Sequence, residues 1–318
     1  MINLAILILS LLCLIWSATH LVAGATGLAH YYRISPLLIG LTLIAFGISL
    51  PEIFLAMKES FENQANLVIS NAIGSNIANI GLVLGLTILL QPPKIHSLLF
   101  RHGYPILFLI MLLTYTLMLD RYFSVADGCL LLLGAIGLTC YLAYLAKQAM
   151  NDCPHIKSFH VARYKRTLRL NAVSLLIGLI MIPIAANYLT NTLVYCAKSL
   201  QLSQSTINLT IIALSTSLPQ LAVCIVAALK NQGQLAVGII LGSNMFNLLA
   251  VLAFPGLINP SVIPPQVIWR DMPMMAALTL IIFLINYNTK RRMIRWHGGL
   301  LLVIYGCYVL SLIYNAVV

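Results

Sequence analysis

Glu52 lies in the middle of an apolar run, "LTLIAFGISLPEIFLAM" (Leu41 to Met57), directly after Pro51. An ionisable side chain inside such a run is costly and marks an ion path or a proton relay. The residues before it are of the kinds that hold cations. Proline removes a backbone donor and clashes with the preceding turn, so Gly47-Ile48-Ser49-Leu50-Pro51 is expected to interrupt its helix and free carbonyl oxygens. With the Ser49 hydroxyl beside them, those carbonyls are hard-cation ligands. Further along, Ser75 and Asn79 are four residues apart, on one face of a helix, and form a second row of oxygens.

The same constellation occurs twice. Residues 41–92 align without a gap on residues 209–260, with 18 of 52 positions identical at a constant offset of 168. "LTLIAFGISLPE" falls on "LTIIALSTSLPQ", and "GSNIANI" falls on "GSNMFNL". The second copy thus supplies Thr216 and Ser217 before Pro219, then Ser243 and Asn247 four residues apart. A lone serine or threonine in a span most often bonds its own backbone or joins helices. The recurrence of proline, hydroxyl and carboxamide at matching places favours a binding role. Leu/Ile repetition alone would not align Pro51 with Pro219 or Gly74-Ser75-Asn76 with Gly242-Ser243-Asn244.

The elements carrying these residues follow from composition. The chain has 318 residues, 61% hydrophobic and only 8% charged, against about 25% charged in a soluble domain. A span needs about 20 apolar residues. Ten candidates lie near 3–24, 34–58, 66–90, 103–119, 125–146, 170–196, 205–229, 234–258, 272–287 and 298–316. The first has no basic flank before it and is read as a retained helix rather than a signal peptide. The expected fold is an all-α integral membrane protein. A first five-helix repeat covers 1–146, a short basic cytoplasmic loop 147–169, and a second five-helix repeat 170–318.

The net charge of +11 is distributed by loop, not as a nucleic-acid patch. With the N-terminus outside, fourteen Lys/Arg fall in inner loops, and only Lys58, Arg121, Lys198 and Arg270 fall in outer ones. This positive-inside bias places both termini outside, in a plasma (inner) membrane. The basic stretches 157–169 and 290–295 then contact anionic lipid. The copies start five spans apart, an odd number, so they run in opposite directions through the bilayer. Inverted repeats with broken helices at the midplane characterise secondary transporters.

The other acids, Glu59, Glu62, Asp120, Asp127, Asp152 and Asp271, are expected at span ends in solvated or interfacial places. The outer ones could add an attractive potential for cations. The seven cysteines show no CxxC spacing and read as small apolar filler, and the seven histidines make no helical ligand pair. No nucleotide-binding motif, HExxH or suitable GxSxG is present, so neither ATP-driven pumping nor a membrane enzyme is supported. No cofactor is expected.

The paired motifs "GISLPE" with "GSNIAN" and "STSLPQ" with "GSNMFN" resemble those of the sodium/calcium exchanger family, within the cation/Ca²⁺ antiporter superfamily. The resemblance covers essentially the whole chain. The short central loop is similar to microbial members and lacks the large regulatory insertion of animal ones. The resemblance implies a diamond of cation sites between the repeats. Its first half would be the Ala45 carbonyl, Ser49, Glu52, Ser75 and Asn79. Its second half would be the Ala213 carbonyl, Thr216, Ser217, Gln220, Ser243 and Asn247. Three residues depart from the pattern: Gln220 stands for a second Glu, Asn247 for an Asp found in some members, and Ile48 for a Thr. The central charge is therefore at most −1, balanced by Na⁺ or H⁺ but not by Ca²⁺. The implied function is exchange of Na⁺ or H⁺ for Ca²⁺ or another cation. The alternatives are a monovalent cation/proton exchanger using Glu52 alone, and a transport-inactive membrane scaffold or sensor.

Overall fold

The computed structural model describes residues 2–93, 99–152, 167–199, 217–288 and 293–317. They are almost entirely helical. In an apolar solvent every backbone N–H and C=O must be satisfied within its own segment, and a helix does this. The first half runs α1 (Ile2–Tyr31), α2 (Pro36–Ile39), α3 (Ala45–Phe61), α4 (Ala65–Ala78), α5 (Gly85–Leu90), α6 (Tyr104–Met118) and α7 (Val125–Asp152). The second runs α8 (Leu168–Ser199), α9 (Leu218–Leu229), α10 (Gly233–Phe246), α11 (Ala253–Ile258), α12 (Met272–Asn288) and α13 (Arg295–Val317).

Several of these join end to end through π-helical turns. Gly40–Ile44 links α2 to α3, Asn79–Leu84 links α4 to α5, and Asn247–Val251 leads from α10 towards α11. Eight described helices are long and apolar enough to cross a bilayer, among them Pro36–Phe61, Ala65–Leu90 and Gly233–Ile258. The chain is an integral, multi-pass membrane protein. Leu218–Leu229 is the described part of the expected seventh span. Of the central loop, residues 153–166 lie outside the described residues, as do residues 289–292 of the second basic cluster.

The structure moves the expected helix interruption. α3 continues through Pro51 as an α-helix. The distortion sits in the preceding turns, at Gly40–Ile44, where the widened helix bonds the Ala45 N–H to the Gly40 carbonyl. Proline leaves the carbonyl four residues before it without an amide donor, and here that residue is Gly47. In the second copy α9 starts at Leu218, with Pro219 in its first turn and Ser217 as its cap residue. A proline is tolerated at that position because the first-turn N–H has no helical partner anyway.

Local features recur at the offset of 168. The π-helical turns after α4 and α10 begin at Asn79 and Asn247. The turns α3–α4 and α9–α10 each pass through an asparagine in the left-handed region, Asn63 (φ 60°) and Asn231 (φ 61°), a conformation asparagine tolerates better than most residues. A two-residue antiparallel pair, Tyr122–Phe123 with Ser261–Val262, ties the α6–α7 connection to the segment after α11.

α10 lies at the centre, with all of α10 but Gln234 buried. It lies against α2 and the π-turn at backbone distance. A Cβ on Gly238 would stand 2.2 Å from the Leu37 carbonyl oxygen, and one on Gly40 would stand 2.5 Å from that of Leu235. Small residues permit this approach where helices associate by close packing. α1 packs along α8 in the same manner, where a Cβ on Gly24 would meet the Asn171 carbonyl at 2.6 Å.

Candidate functional site

The motifs of the two halves meet where α3, α4, α9 and α10 come together. Glu52, about two turns into α3, accepts a hydrogen bond at Oε1 from Gln220 Nε2 of α9 (2.8 Å). These two residues are related by the offset of 168, so the site pairs the two copies of one motif position. Ser49 Oγ and Ser243 Oγ lie 2.9 Å apart, joining α3 to α10. Asn247 Nδ2 donates to Ser75 Oγ (3.4 Å), and its carboxamide also neighbours Glu52. Asn79 Nδ2 donates to Asn244 Oδ1 (3.0 Å).

The GSN segments clasp each other reciprocally. Asn76 Nδ2 donates to the Asn244 carbonyl (3.1 Å), and Asn244 Nδ2 donates to the Asn76 carbonyl (3.4 Å). From sequence these asparagines belong to the repeat, and no contact is expected of them. Their signal was present, since both sit next to the serines and pair at the offset of 168.

The amide groups are oriented in one sense. Gln220, Asn79 and Asn247 each use an N–H on a protein neighbour. The oxygens Gln220 Oε1, Asn79 Oδ1 and Asn247 Oδ1, with Glu52 Oε2 and Ser217 Oγ, are buried without a hydrogen-bond partner among the described residues. Buried polar atoms are almost always paired, and leaving one unpaired costs about 1–3 kcal/mol. These five oxygens, with Asn76 Oδ1 of the adjoining clasp also unpaired, and no unpaired side-chain N–H among the described residues, suit a positive ion. Na⁺ and Ca²⁺ are bound through oxygens of these kinds.

Of the expected site residues, the structure therefore brings together Glu52, Gln220, Ser75 and Asn247 in one group, and Ser49 with Ser243 beside it. Asn79 and Ser217 occupy neighbouring turns of the same helices and are buried. Ala45 is buried at the junction of the π-turn with α3. Ile48 is buried and offers no hydroxyl. Ala213 and Thr216 lie outside the described residues.

A small cavity of about 30 Å³ leads from the site along the groove between α3 and α4, room enough for a water. Its wall includes Glu52, Glu59, Asn71, Ser75 and Asn247. Asn71 was not singled out from sequence, although Asn71, Ser75 and Asn79 follow at spacings of four on one helical face. Asp271 departs from the expected solvated place. It is buried, held by Arg270 Nε (2.6 Å) and by the Tyr308 hydroxyl (2.9 Å), because the partners neutralise and hydrogen-bond it at the start of α12. Among the described residues no group of three His, Cys, Asp or Glu is placed to hold a metal ion. The oxygens at the site are thus one carboxylate, amides and hydroxyls.

The sequence profile of the sodium/calcium exchanger proteins matches residues 2–150 and 170–314. The chain belongs to the sodium/calcium exchanger protein family. It is a secondary transporter by family, not an enzyme. This exchanger is 37% identical to CaxA of Alkalimonas amylolytica over 299 residues, covering 93% of this chain and 94% of that one. It is 29% identical to the sodium/calcium exchanger MaX1 of Methanosarcina acetivorans, covering 98% and 99%. Its fold matches the sodium-calcium exchanger NCX_Mj, soaked with zero Na⁺ and Ca²⁺, at a TM-score of 0.83 and 28% identity over 98% of both chains. The exchanger family transports inorganic cations.

Proposed function

We propose that this exchanger moves inorganic cations by alternating access, trading Na⁺ or H⁺ for Ca²⁺ or another cation, with the ion seated between Glu52 and Gln220. The observation that carries the reading is the set of unpartnered oxygens from both motif copies around one carboxylate. Ser49, Ser75, Asn79, Ser217, Ser243 and Asn247 complete the shell, with the Ala45 carbonyl and, by motif position, Ala213 and Thr216. The recurrence at the offset of 168 supports two inverted five-helix repeats, 1–146 and 170–318. Loop charge supports both termini outside in a plasma (inner) membrane, with the basic loops on anionic lipid. In that orientation the α3–α4 groove opens outwards.

Gradient-driven flux in proteoliposomes tests this. An outward Na⁺ gradient, and separately a pH gradient, should drive uptake of ⁴⁵Ca²⁺ or a monovalent cation, and Glu52→Gln should abolish it. A wild-type chain that moves no cation under any gradient overturns the reading.

A second reading, monovalent cation/proton exchange, is favoured by the Gln220–Glu52 hydrogen bond. A neutral amide donor stands where the family pattern has a second carboxylate. Na⁺ or H⁺ on Glu52 is neutral, whereas Ca²⁺ leaves +1 at the midplane, and a buried charge there costs on the order of 3 kcal/mol or more. Indifference of the flux to every monovalent cation would exclude it.

A further inference from the structure

The cavity that reaches Glu52 contains a second carboxylate. Glu59 lies two turns along the same face of α3, roughly 10 Å from Glu52 by helical rise, and lines the same wall with Asn71 of α4. Glu59 is only partly exposed. Its neighbour Lys58 forms its ion pair with Glu62 (3.8 Å) and acts on Glu59 only through the longer-range field, so no ion pair holds Glu59 among the described residues. At the inner end, Asn247 lines the cavity while almost wholly buried, with Oδ1 free. The cavity thus has an oxygen without a hydrogen-bond partner at its floor and, among the described residues, a carboxylate without an ion-pair partner at its mouth. The second copy has nothing like it: the residues at the positions of Glu59 and Asn71 are Ala227 and Ile239, both fully buried.

We propose that Glu59 and Asn71 form an outer cation station, on one side of the protein only. It takes a hydrated mono- or divalent inorganic cation and delivers it along the α3–α4 groove to Glu52. The proposal rests on the cation-exchanger reading for the destination of the ion, but not for the station itself. A carboxylate at the mouth of a low-dielectric cleft raises the local concentration of cations and their rate of entry. It also brings a second negative charge to the entry route of a chain whose central site has one. Dehydration then proceeds in two steps, with water retained at Glu59 and protein oxygens taking over at Glu52.

Two measurements decide it. In proteoliposomes of known orientation, Glu59→Gln should raise the half-saturating cation concentration on the α3–α4 side about threefold or more at low ionic strength. The difference should shrink in added choline chloride, and half-saturation on the opposite side should move less. An unchanged half-saturation on the α3–α4 side overturns the proposal. The second measurement needs no transport. A water-soluble carbodiimide with glycine ethyl ester labels accessible carboxyls, read by mass spectrometry on the full chain in detergent. NaCl or CaCl₂ should slow labelling of Glu59 relative to choline chloride at equal ionic strength, with Glu62 as the unprotected comparison. Equal labelling of Glu59 in all salts overturns the station. Protection of Glu59 in a chain that moves no cation retains the station and overturns the exchanger reading.

Discussion

The groove between α3 and α4 and its counterpart between α9 and α10 are built from the same motif and differ in state. The first admits a cavity, and Leu55, Glu59 and Asn71 in its wall retain exposed surface. Shifting its lining by 168 gives Val223, Cys224 and Ala227 on α9 and Ala236, Ile239 and Ile240 on α10, each 0% exposed. One copy is partly exposed and carries an acid and an amide, and the other is dry and apolar at the matching places. The dry side is also tied at its end. Gln91 Nε2 donates to Asn231 Oδ1, and Lys230 Nζ donates to the Thr19 carbonyl (3.2 Å). The matching pair, Asn63 and Asn259, is not hydrogen-bonded among the described residues. The difference teaches that one backbone design can close by apolar packing or open through polar lining. Under the proposed function, an ion seated between the two grooves would be reached from one side at a time.

The sharpest test of that comparison exchanges the charged half of the site. Glu52→Gln alone should reduce gradient-driven flux at least ~100-fold, equivalent to about 2.7 kcal/mol. The double variant Glu52→Gln/Gln220→Glu should recover measurable flux. The two side chains already touch, so the carboxylate would face the same oxygens from the other helix. Gln220→Glu alone should raise Ca²⁺ affinity about tenfold relative to Na⁺, since the added charge removes the uncompensated +1. Isothermal titration with Na⁺ and Ca²⁺ alongside flux separates these outcomes. A dead double variant would show that the two halves are not equivalent supports.

The spans, the duplication and most of the residues that meet at the candidate site were legible because each has a one-dimensional signal. Apolar length marks spans, and a fixed offset brings Glu52 onto Gln220 and Asn79 onto Asn247. The location of the helix distortion was not legible. Pro51 predicts a break at its own turn, but α3 absorbs it, and the widened turn falls at Gly40–Ile44, where close packing on α10 fixes the backbone. Nor was the place of Glu59 in the cavity wall legible. From sequence it is an acid near a span end, and only the packing of α4 across α3 turns that place into the wall of a cavity. Asp271 was misplaced for a similar reason, since its burial depends on Tyr308, 37 residues away.

A smaller effect probes why the dry groove stays closed. α10 lines it with one face because its opposite face lies against the backbone of α2. Gly→Ala in a helix ordinarily stabilises by up to about 1 kcal/mol. At Gly238 the new methyl would stand 2.2 Å from the Leu37 carbonyl oxygen and 2.9 Å from the Leu41 nitrogen. Overpacking against backbone costs about 1–3 kcal/mol, so Gly238→Ala should lower Tm in detergent by several degrees. Gly137→Ala, where nothing lies within 4 Å, should leave Tm unchanged or raise it slightly. Equal Tm values for the two would mean that α10 can shift away from α2 without penalty.

The smallest expected effect concerns the tie at the closed end. In a variant retaining Cys224 as its only cysteine, the thiol reports on the dry groove, where it is fully buried with its Sγ 3.8 Å from the Ala236 carbonyl. A charged methanethiosulfonate reagent cannot reach it until the groove opens. A hydrogen bond contributes about 1 kcal/mol net, so removing the tie with Asn231→Ala should raise the labelling rate of Cys224 about fivefold. Gln91→Ala should do the same, and the double variant should add little, because both changes break one bond. Asn63→Ala, on the open side, should leave the rate unchanged. If none of the substitutions affects Cys224, the dry groove is held by the apolar packing of Val223, Ala227 and Ile239 alone, and the difference between the two grooves lies in their linings rather than in their latches.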